Sequence, residues 1–403
     1  MKLAVVRGKD VDGMKGPSPV VKLKGLDVVW GVPPDYMHCV LLGVAKHLTE
    51  LWLTSTGEEY HIGRKIHIVN RRLCGIRPPV CFTRLTRALS EHALWKASEW
   101  ENWVLYYMLP TLYGILPSPF FMHASLLAKG LFLLLQTTVT EADIKEAERV
   151  FKAFVYDTAR LYGDSAVRYN IHQLLHLAKS VTMLGPLWAT SMFPFEGSNG
   201  SIVSLVTAAK GVPLQIAERL IMSDTLRDIL KVFPLAGRLE TCAEKLFKIK
   251  EQKMTCRGLG AAVCNKELSE AAASLLFEKV GRVVMVEHFH RACINGITVH
   301  AFQYTRTERT CSCYFRMFDG SCCEVKEIFV FREQIERVAL LCKRLLILPS
   351  GLGHVTHLQK CDHPPASEGL CVYLDNDFEC QMVFIRIDQD EYVGLQPNTY
   401  ETD

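Results

Sequence analysis

The chain has 403 residues, of which 49% are hydrophobic, so it is long enough for two domains with sizeable cores. Its net charge of +3 is too small to indicate nucleic-acid binding by itself, and its fifteen cysteines are scattered and odd in number. The first residues contain no uninterrupted apolar run of the kind that a signal peptide needs, and the longest apolar runs elsewhere are too short to span a bilayer. We therefore expect a nuclear or cytoplasmic protein with reduced thiols, neither secreted nor membrane-spanning.

The first 34 residues are predicted to be a linker or the remnant of a truncated core, with one strand or turn at Leu26–Trp30. Pro33 and Pro34 end that stretch, and Asp35 is suited to cap the helix that follows. Apolar residues then recur at helical spacing, which predicts a helix over residues 36–53 with one apolar face.

A basic stretch covers residues 61–90 and contains no acidic residue. Such a run is typical of a surface that contacts a polyanion, and it predicts DNA contact. The alternative is a solvated surface whose counter-charges come from Glu91, Glu99 and Glu101. The basic residues are Arg64, Lys65, Arg71, Arg72, Arg77, Arg84 and Arg87.

From Ser90 onward the pattern is strongly helical. The aromatic residues between Trp95 and Tyr107 are interpreted as core rather than as a base-stacking platform, in a helix that Pro110 ends. Thr140 is predicted to cap a later helix whose first turn carries Glu141 and Asp143. The other predicted helices are His123–Thr137, Thr140 to about Tyr162, Tyr169–Leu184, Glu196–Lys210, Pro213–Lys231 and Ala236–Lys250.

The tail has a different pattern, in which short β-branched or aromatic runs are separated by turn residues. Asn295-Gly296 and Asp319-Gly320 lie between such runs and predict hairpins. We therefore expect an α+β protein: a mainly helical domain at 35–250, a connector at 251–279 and a small β-rich domain at 280–403. The predicted strands are Val283–Glu287, Ile297–Gln303, Cys313–Met317, Cys323–Phe331, Ala339–Leu348 and Cys380–Arg386.

Two spaced pairs could hold a metal ion. Asp35 and His38 are three residues apart, and His172 and His176 are four apart, so each pair lies on one face of its predicted helix. If the fold brings the helices together, the four side chains could form a zinc site. The alternative is that Asp35 is only a helix cap and that the histidines are ordinary core or surface residues.

Glu196 follows a proline- and aromatic-rich segment, Phe193–Phe195. Its position allows either an acid favoured by the helix dipole or a carboxylate that binds a divalent metal. In the tail, Cys311-x-Cys313, Cys322-Cys323 and Cys361-x-His363 lack the spacing of common zinc fingers and are interpreted as reduced cysteines, with an adventitious metal site as the alternative.

Several motifs in order resemble those of transposases of the CACTA (En/Spm) superfamily and their domesticated relatives. They are Pro34-Asp35-Tyr36-Met37-His38-Cys39-Val40-Leu41-Leu42-Gly43-Val44, Trp95-Lys96-Ala97-Ser98-Glu99-Trp100, Asn170-Ile171-His172-Gln173-Leu174-Leu175-His176-Leu177, and Gly185-Pro186-Leu187-Trp188 leading into Phe193-Pro194-Phe195-Glu196. The resemblance implies an RNase H-like catalytic core with a helical insertion, which cuts and joins DNA with an Asp-Asp-Glu triad and two Mg²⁺ ions. It assigns Asp35 and His38 to the family's Asp-x-x-His, His172 and His176 to its spaced histidine pair, and Glu196 to the last residue of the triad.

The family places its two catalytic aspartates, on core strands, and a Cys-x-x-Cys pair before the Asp-x-x-His motif. The 34 residues before Asp35 contain no Cys-x-x-Cys and no convincing strand with an acidic residue. We therefore expect the C-terminal portion of a transposase, inactive in strand transfer alone but retaining largely non-specific DNA contact. Structural zinc, and Mg²⁺ only with a complete triad, are the cofactors that the resemblance implies. Two alternatives stay open: a protein-interaction module whose partner binds the β-rich tail, and a chain that supplies Glu196 in trans to an active DNA strand-transfer complex.

Overall fold

A computed structural model describes most of the chain: residues 6, 8, 19–27, 30–233, 237–239, 242, 256–264, 267–304, 306, 308–365 and 368–398. The fold is α+β, with a helical region followed by a β-rich region, as the hydrophobic patterns predicted. Most of the predicted helix at Ala236–Lys250, and part of the predicted linker at 1–34, lie outside the described residues.

Besides several short 3-10 turns, nine helices of α or π type are described. They are α1 (Met37–Ala45, π-helical, continuing as Lys46–Thr54), α2 (Ile66–Cys74), α3 (Ala97–Asn102, a π-helical turn Trp103–Tyr107, then Met108–Leu112), α4 (Ser118–Leu135), α5 (Glu141–Tyr162), α6 (Tyr169–Leu184), α7 (Phe193–Ser204), α8 (Val212–Val232) and α9 (Glu270–Val280). The predicted α6 and α8 match to within a residue, and α7 begins three residues earlier than expected.

The predicted end of the aromatic helix was wrong, because α3 continues past Pro110 to Leu112. The π-helical turn Trp103–Tyr107 lies directly before this segment and shifts the hydrogen-bond pattern there. The missing N–H of Pro110 therefore does not interrupt the helix. The aromatic residues of α3 are buried, which confirms their interpretation as core.

Twelve strands are described: β1 (Arg257–Gly258), β2 (Glu287–Phe289), β3 (Arg291–Ile294), β4 (Ile297–His300), β5 (Tyr314–Met317), β6 (Cys322–Arg332), β7 (Glu336–Arg344), β8 (Leu346–Leu348), β9 (Leu358–Asp362), β10 (Leu370–Leu374), β11 (Phe378–Ile387) and β12 (Asp390–Leu395). The large sheet has the order β10-β7-β6-β5-β11-β12-β9-β8, and β2 also pairs with β6. A smaller sheet has the order β1-β3-β4. All the pairings are antiparallel.

Both predicted hairpins are present. Asn295 and Gly296 join β3 to β4 with φ angles of 52° and 85°, the positive values that a tight type I′ turn requires. Asp319 and Gly320 join β5 to β6. The strand prediction missed β1, β3, β9, β10 and β12, and it joined β7 and β8 into one strand. It also placed a strand at Val283–Glu287 where β2 begins only at Glu287.

The helical region and part of the sheet share one hydrophobic core. Its members include Trp52, Trp100 and Phe151 from the helices, and Leu358 and Ile385 from the strands. Polar contacts join the same parts. For example, His357 Nε2 lies 2.8 Å from the Leu105 carbonyl oxygen. The sheet is therefore fixed against the helices that carry the candidate site.

α4 is the one helix among the described residues that is long and apolar enough to cross a membrane by length and composition. Of its 18 residues, 67% are buried inside the protein, as expected for a core helix.

Candidate functional site

Asp35 fixes the start of α1 and joins it to the start of α7. Its Oδ2 accepts hydrogen bonds from the backbone N–H of His38 at 3.0 Å and from His38 Nδ1 at 2.6 Å. Its Oδ1 accepts from the backbone N–H of Met192 at 3.1 Å, one residue before α7. The predicted helix cap is thus confirmed, and the same carboxylate connects two motifs that are far apart in the chain.

His38 lies between two carboxylates. Its Nδ1 contacts Asp35, and its Nε2 lies 3.2 Å from Glu196 Oε1 in the first turn of α7. The fold thus brings Asp35 and His38, which share one motif, together with Glu196 from a motif more than 150 residues later in the chain. The His38 and Glu196 side chains are 52% and 56% exposed, so their ion pair contributes little to stability.

His172 and His176 form a second pair, on α6. Their Nε2 atoms are 3.3 Å apart. Burial, followed by the neighbouring His172 and Lys179, lowers the pKa of His176 and favours its neutral form. The Trp30 ring packs edge-on against His176 and lies 3.8 Å under the Lys179 ammonium. The pair is therefore partly shielded by the segment that precedes α1.

These contacts limit how a metal could bind. Asp35 and Glu196 approach opposite nitrogens of the His38 ring, so the two carboxylates do not converge on one point with it. Among the described residues, no group of three or more His, Cys, Asp or Glu side chains is placed to hold a metal ion. The described residues thus form neither a complete four-ligand zinc site nor a two-metal carboxylate centre.

The two motif helices also pack directly against each other. A Cβ at Gly43 of α1 would overlap the side-chain amide nitrogen of Asn170 in α6, so a larger residue there would displace this side chain. The Cys39 thiol donates to the Asn170 carbonyl oxygen at 3.4 Å. Burial, followed by the nearby Asp35, raises the pKa of Cys39 to about 12, so it is a protonated core thiol, as the sequence suggested.

A cavity of about 270 Å³ lies beside this contact. Among its lining residues are Lys46, His47, Glu50 and Arg168, none of which was predicted from the sequence as a site residue. His47 is buried against the Ala166 carbonyl oxygen at 3.1 Å. Arg168, directly before α6, could have been found as a basic residue beside a predicted helix start, but the remaining lining residues depend on the packing of α1 and α6.

The basic stretch divides into exposed and internally paired residues. The side chains of Arg64, Lys65, Arg71, Arg77 and Arg84 are exposed. Arg71 makes one long contact, 3.8 Å, with Asp388. Among the described residues, no carboxylate lies within ion-pair distance of the other four.

Arg72 and Arg87, which the sequence placed in the predicted DNA-binding set, are engaged in contacts inside the fold. Arg72 donates to the backbone carbonyls of Thr111 and Tyr113 and to Asp388 Oδ2 at 2.8 Å. Arg87 Nε and Nη2 each lie 2.6 Å from an oxygen of Glu99, which is 7% exposed. The expectation of a counter-charge from Glu99 thus holds for Arg87.

No family model, curated protein or solved structure matches this chain.

Proposed function

We propose that the chain is a transposase-derived protein of the CACTA type that acts in the nucleus and contacts duplex DNA through a basic surface. This surface consists of Arg64, Lys65, Arg77 and Arg84. The observation that carries the proposal is that all four side chains are exposed and that no described carboxylate neutralises them. The resemblance of the motifs supplies the family, and the paired Arg72 and Arg87 are left out.

Free cations on a surface attract the phosphate backbone because binding releases condensed counterions from DNA. Arg64 and Lys65 precede α2 in a single 3-10 turn, so their charges lie close together. Phosphate contacts of this kind carry no base information, and the expected binding is therefore largely independent of sequence. No catalytic step is part of the proposal.

The triple variant Arg64→Gln/Lys65→Gln/Arg84→Gln is expected to weaken binding to a random 30-base-pair duplex by roughly tenfold or more at low salt. It is also expected to reduce the slope of log affinity against log salt concentration by roughly two to three, about one for each lost phosphate contact. Fluorescence anisotropy between about 50 and 200 mM salt measures both quantities.

The matched control is Lys145→Gln/Lys152→Gln/Arg160→Gln on α5, which removes the same number of exposed positive charges from another surface. The control is expected to retain the affinity and salt slope of the parent chain. Equal losses in both triple variants would show that net charge, and not this surface, determines binding. If the parent chain does not bind the duplex at low salt, the proposal is wrong.

The RNase H-like ancestry is part of the same proposal, with the described helices corresponding to the family's helical insertion. The contact between His38 and Glu196 supports this correspondence, because it brings the first and last motifs together. Zinc is proposed at His172 and His176, since their Nε2 separation of 3.3 Å is suited to two ligands of one tetrahedral ion. A closed structural site needs two further ligands.

Zinc content provides a test of this part. If the histidine pair binds zinc, the purified chain is expected to contain the metal, and His172→Ala is expected to lower its content to near zero, because one imidazole cannot retain the ion. Elemental analysis by mass spectrometry measures the ratio, and His67→Ala, which removes an exposed histidine elsewhere, is the control. Equal zinc in both variants, or none in the parent chain, would contradict a site at this pair.

A further inference from the structure

Two cysteines that the proposed function does not use lie next to each other in front of β5. Cys311 Sγ and Cys313 Sγ are 3.4 Å apart, with one residue, Ser312, between them in the chain. Cys311 is half-buried and Cys313 is buried. The exposed arginine Arg77 is close enough to act electrostatically on both thiols.

Oxidation of a dithiol to a disulfide needs one thiol that attacks the oxidant and a second thiol that attacks the oxidised sulfur, and the two cysteines differ in the corresponding way. A hydrogen bond from Cys313 is the main cause that lowers the pKa of Cys311, burial opposes this, and Arg77 lowers it further. The same pairing raises the pKa of Cys313, so it stays protonated. The more accessible cysteine is thus the better nucleophile, and the buried one lies within reach to resolve its oxidised form.

We propose that Cys311 and Cys313 form a redox-active dithiol, which a peroxide oxidises to an intramolecular disulfide. In the first step the Cys311 thiolate attacks hydrogen peroxide, the O–O bond breaks, and a sulfenic acid and hydroxide form. The Cys313 thiol then attacks the Cys311 sulfur, the S–O bond breaks, and water leaves with the proton of the thiol. Two thiols and one peroxide thus give one disulfide and two waters.

The site is placed to transmit this change to the basic stretch. The backbone N–H of Cys311 donates to the Pro78 carbonyl oxygen at 2.8 Å, and the backbone N–H of Val80 donates to Ser312 Oγ at 2.9 Å. A disulfide between residues 311 and 313 closes a small ring around Ser312 and changes the local backbone. Oxidation is therefore expected to loosen segment 77–80 from the sheet.

Trypsin releases Thr310–Arg316, which contains Cys311 and Cys313 and no other cysteine. After treatment of the folded chain with a small excess of hydrogen peroxide and alkylation under denaturing conditions, this peptide is expected to be unalkylated and lighter by two hydrogen atoms. The peptide Met317–Lys326 is an internal control, because it also carries two cysteines, Cys322 and Cys323, and both are buried. It is expected to remain doubly alkylated at the same dose.

The variant Cys313→Ser keeps a hydrogen-bond donor beside Cys311 and removes the resolving thiol, so dimedone is expected to label Cys311 as the sulfenic acid. Faster hydrogen exchange of segment 77–80 after oxidation is the expected sign of the linked loosening. The proposal is overturned if Thr310–Arg316 stays doubly alkylated, or if both peptides oxidise at equal rates. None of these readouts uses DNA, so their outcome is independent of the proposed function.

Discussion

Replacing Arg87 with methionine is expected to lower the free energy of unfolding by about 3 kcal/mol, near the lower end of the range for breaking a buried ion pair. Both nitrogens of Arg87 that face Glu99 lie 2.6 Å from its oxygens, and Glu99 is 7% exposed. Without the guanidinium, a buried carboxylate stays unpaired at the start of α3. The lower end applies because the Arg87 side chain is itself 33% exposed.

Urea denaturation of paired variants measures the effect. Arg84→Met is the matched control, because Arg84 is exposed in the same stretch and is expected to change stability by less than about 0.5 kcal/mol. Adding Glu99→Gln to Arg87→Met removes the unpaired charge and is expected to restore part of the loss. An Arg87→Met chain with the unfolding midpoint of the parent would refute a structural role for Arg87.

The ion pair between Arg87 and Glu99 also shows why the basic stretch contains both exposed and internally paired arginines. Arg84 and Arg87 are three apart in the same acid-free stretch, and nothing local distinguishes them. The difference arises from Glu99, which folds back beside Arg87 and also accepts a hydrogen bond from the Lys96 backbone N–H at 2.8 Å. Side-chain pairing across a turn depends on tertiary packing, which composition does not encode.

Elements with strong local signals were predictable from the sequence. α5 begins after Thr140, whose hydroxyl accepts from the Asp143 backbone N–H while Asp143 bonds back to Thr140, the reciprocal cap that these residue types favour. Asn295-Gly296 gave its hairpin for a similar reason, since both residues tolerate positive φ. In these cases the interaction that fixes the structure is only a few residues long.

The prediction missed strands that are fixed by pairing with neighbouring strands and not by their own residue pattern. β9 reads Leu-Gln-Lys-Cys-Asp, a polar run with little β-branching, and is held by β8 on one side and β12 on the other. The candidate site divides in the same way. The Asp35–His38 contact is a helix cap visible in the sequence, whereas the contact of His38 with Glu196 requires the packing of α1, α6 and α7.

Acid is expected to destabilise the fold strongly between about pH 6.5 and pH 4, because buried histidines must take up protons. His123 and His357 are almost fully buried, and burial lowers the pKa of each to about 4. The unfolded chain binds a proton at each site below about pH 6.5, while the folded chain does so only near pH 4. Stability therefore falls as the pH falls through this window, and the loss for each histidine reaches roughly 3 kcal/mol at pH 4.

Both rings are held in their neutral form by the surrounding structure. His357 Nε2 lies 2.8 Å from the Leu105 carbonyl oxygen, and its ring stacks on Phe132 at 4.2 Å. His123 Nε2 lies 3.0 Å from the Phe154 carbonyl oxygen, and its ring stacks on Phe154 at 4.1 Å. In each ring Nδ1 has no hydrogen-bond partner, so a second proton would be placed in an apolar site without an acceptor.

The variant His357→Gln removes one of the two buried histidines, so its difference from the parent chain gives the contribution of that histidine to the pH dependence of stability. Denaturation measured at several pH values between 6 and 4 is expected to show a shallower loss of stability, by about 1 kcal/mol for each pH unit, since one fewer proton is linked to unfolding. Carboxylates titrate in both chains and cancel in the difference. The exposed His67, replaced by glutamine, is the control and is expected to leave the slope unchanged. Identical slopes for His357→Gln and the parent chain would contradict this prediction. They would mean that the contact between His357 and Leu105 opens to solvent before His357 takes up a proton, and that burial of His357 does not make the free energy of unfolding depend on pH.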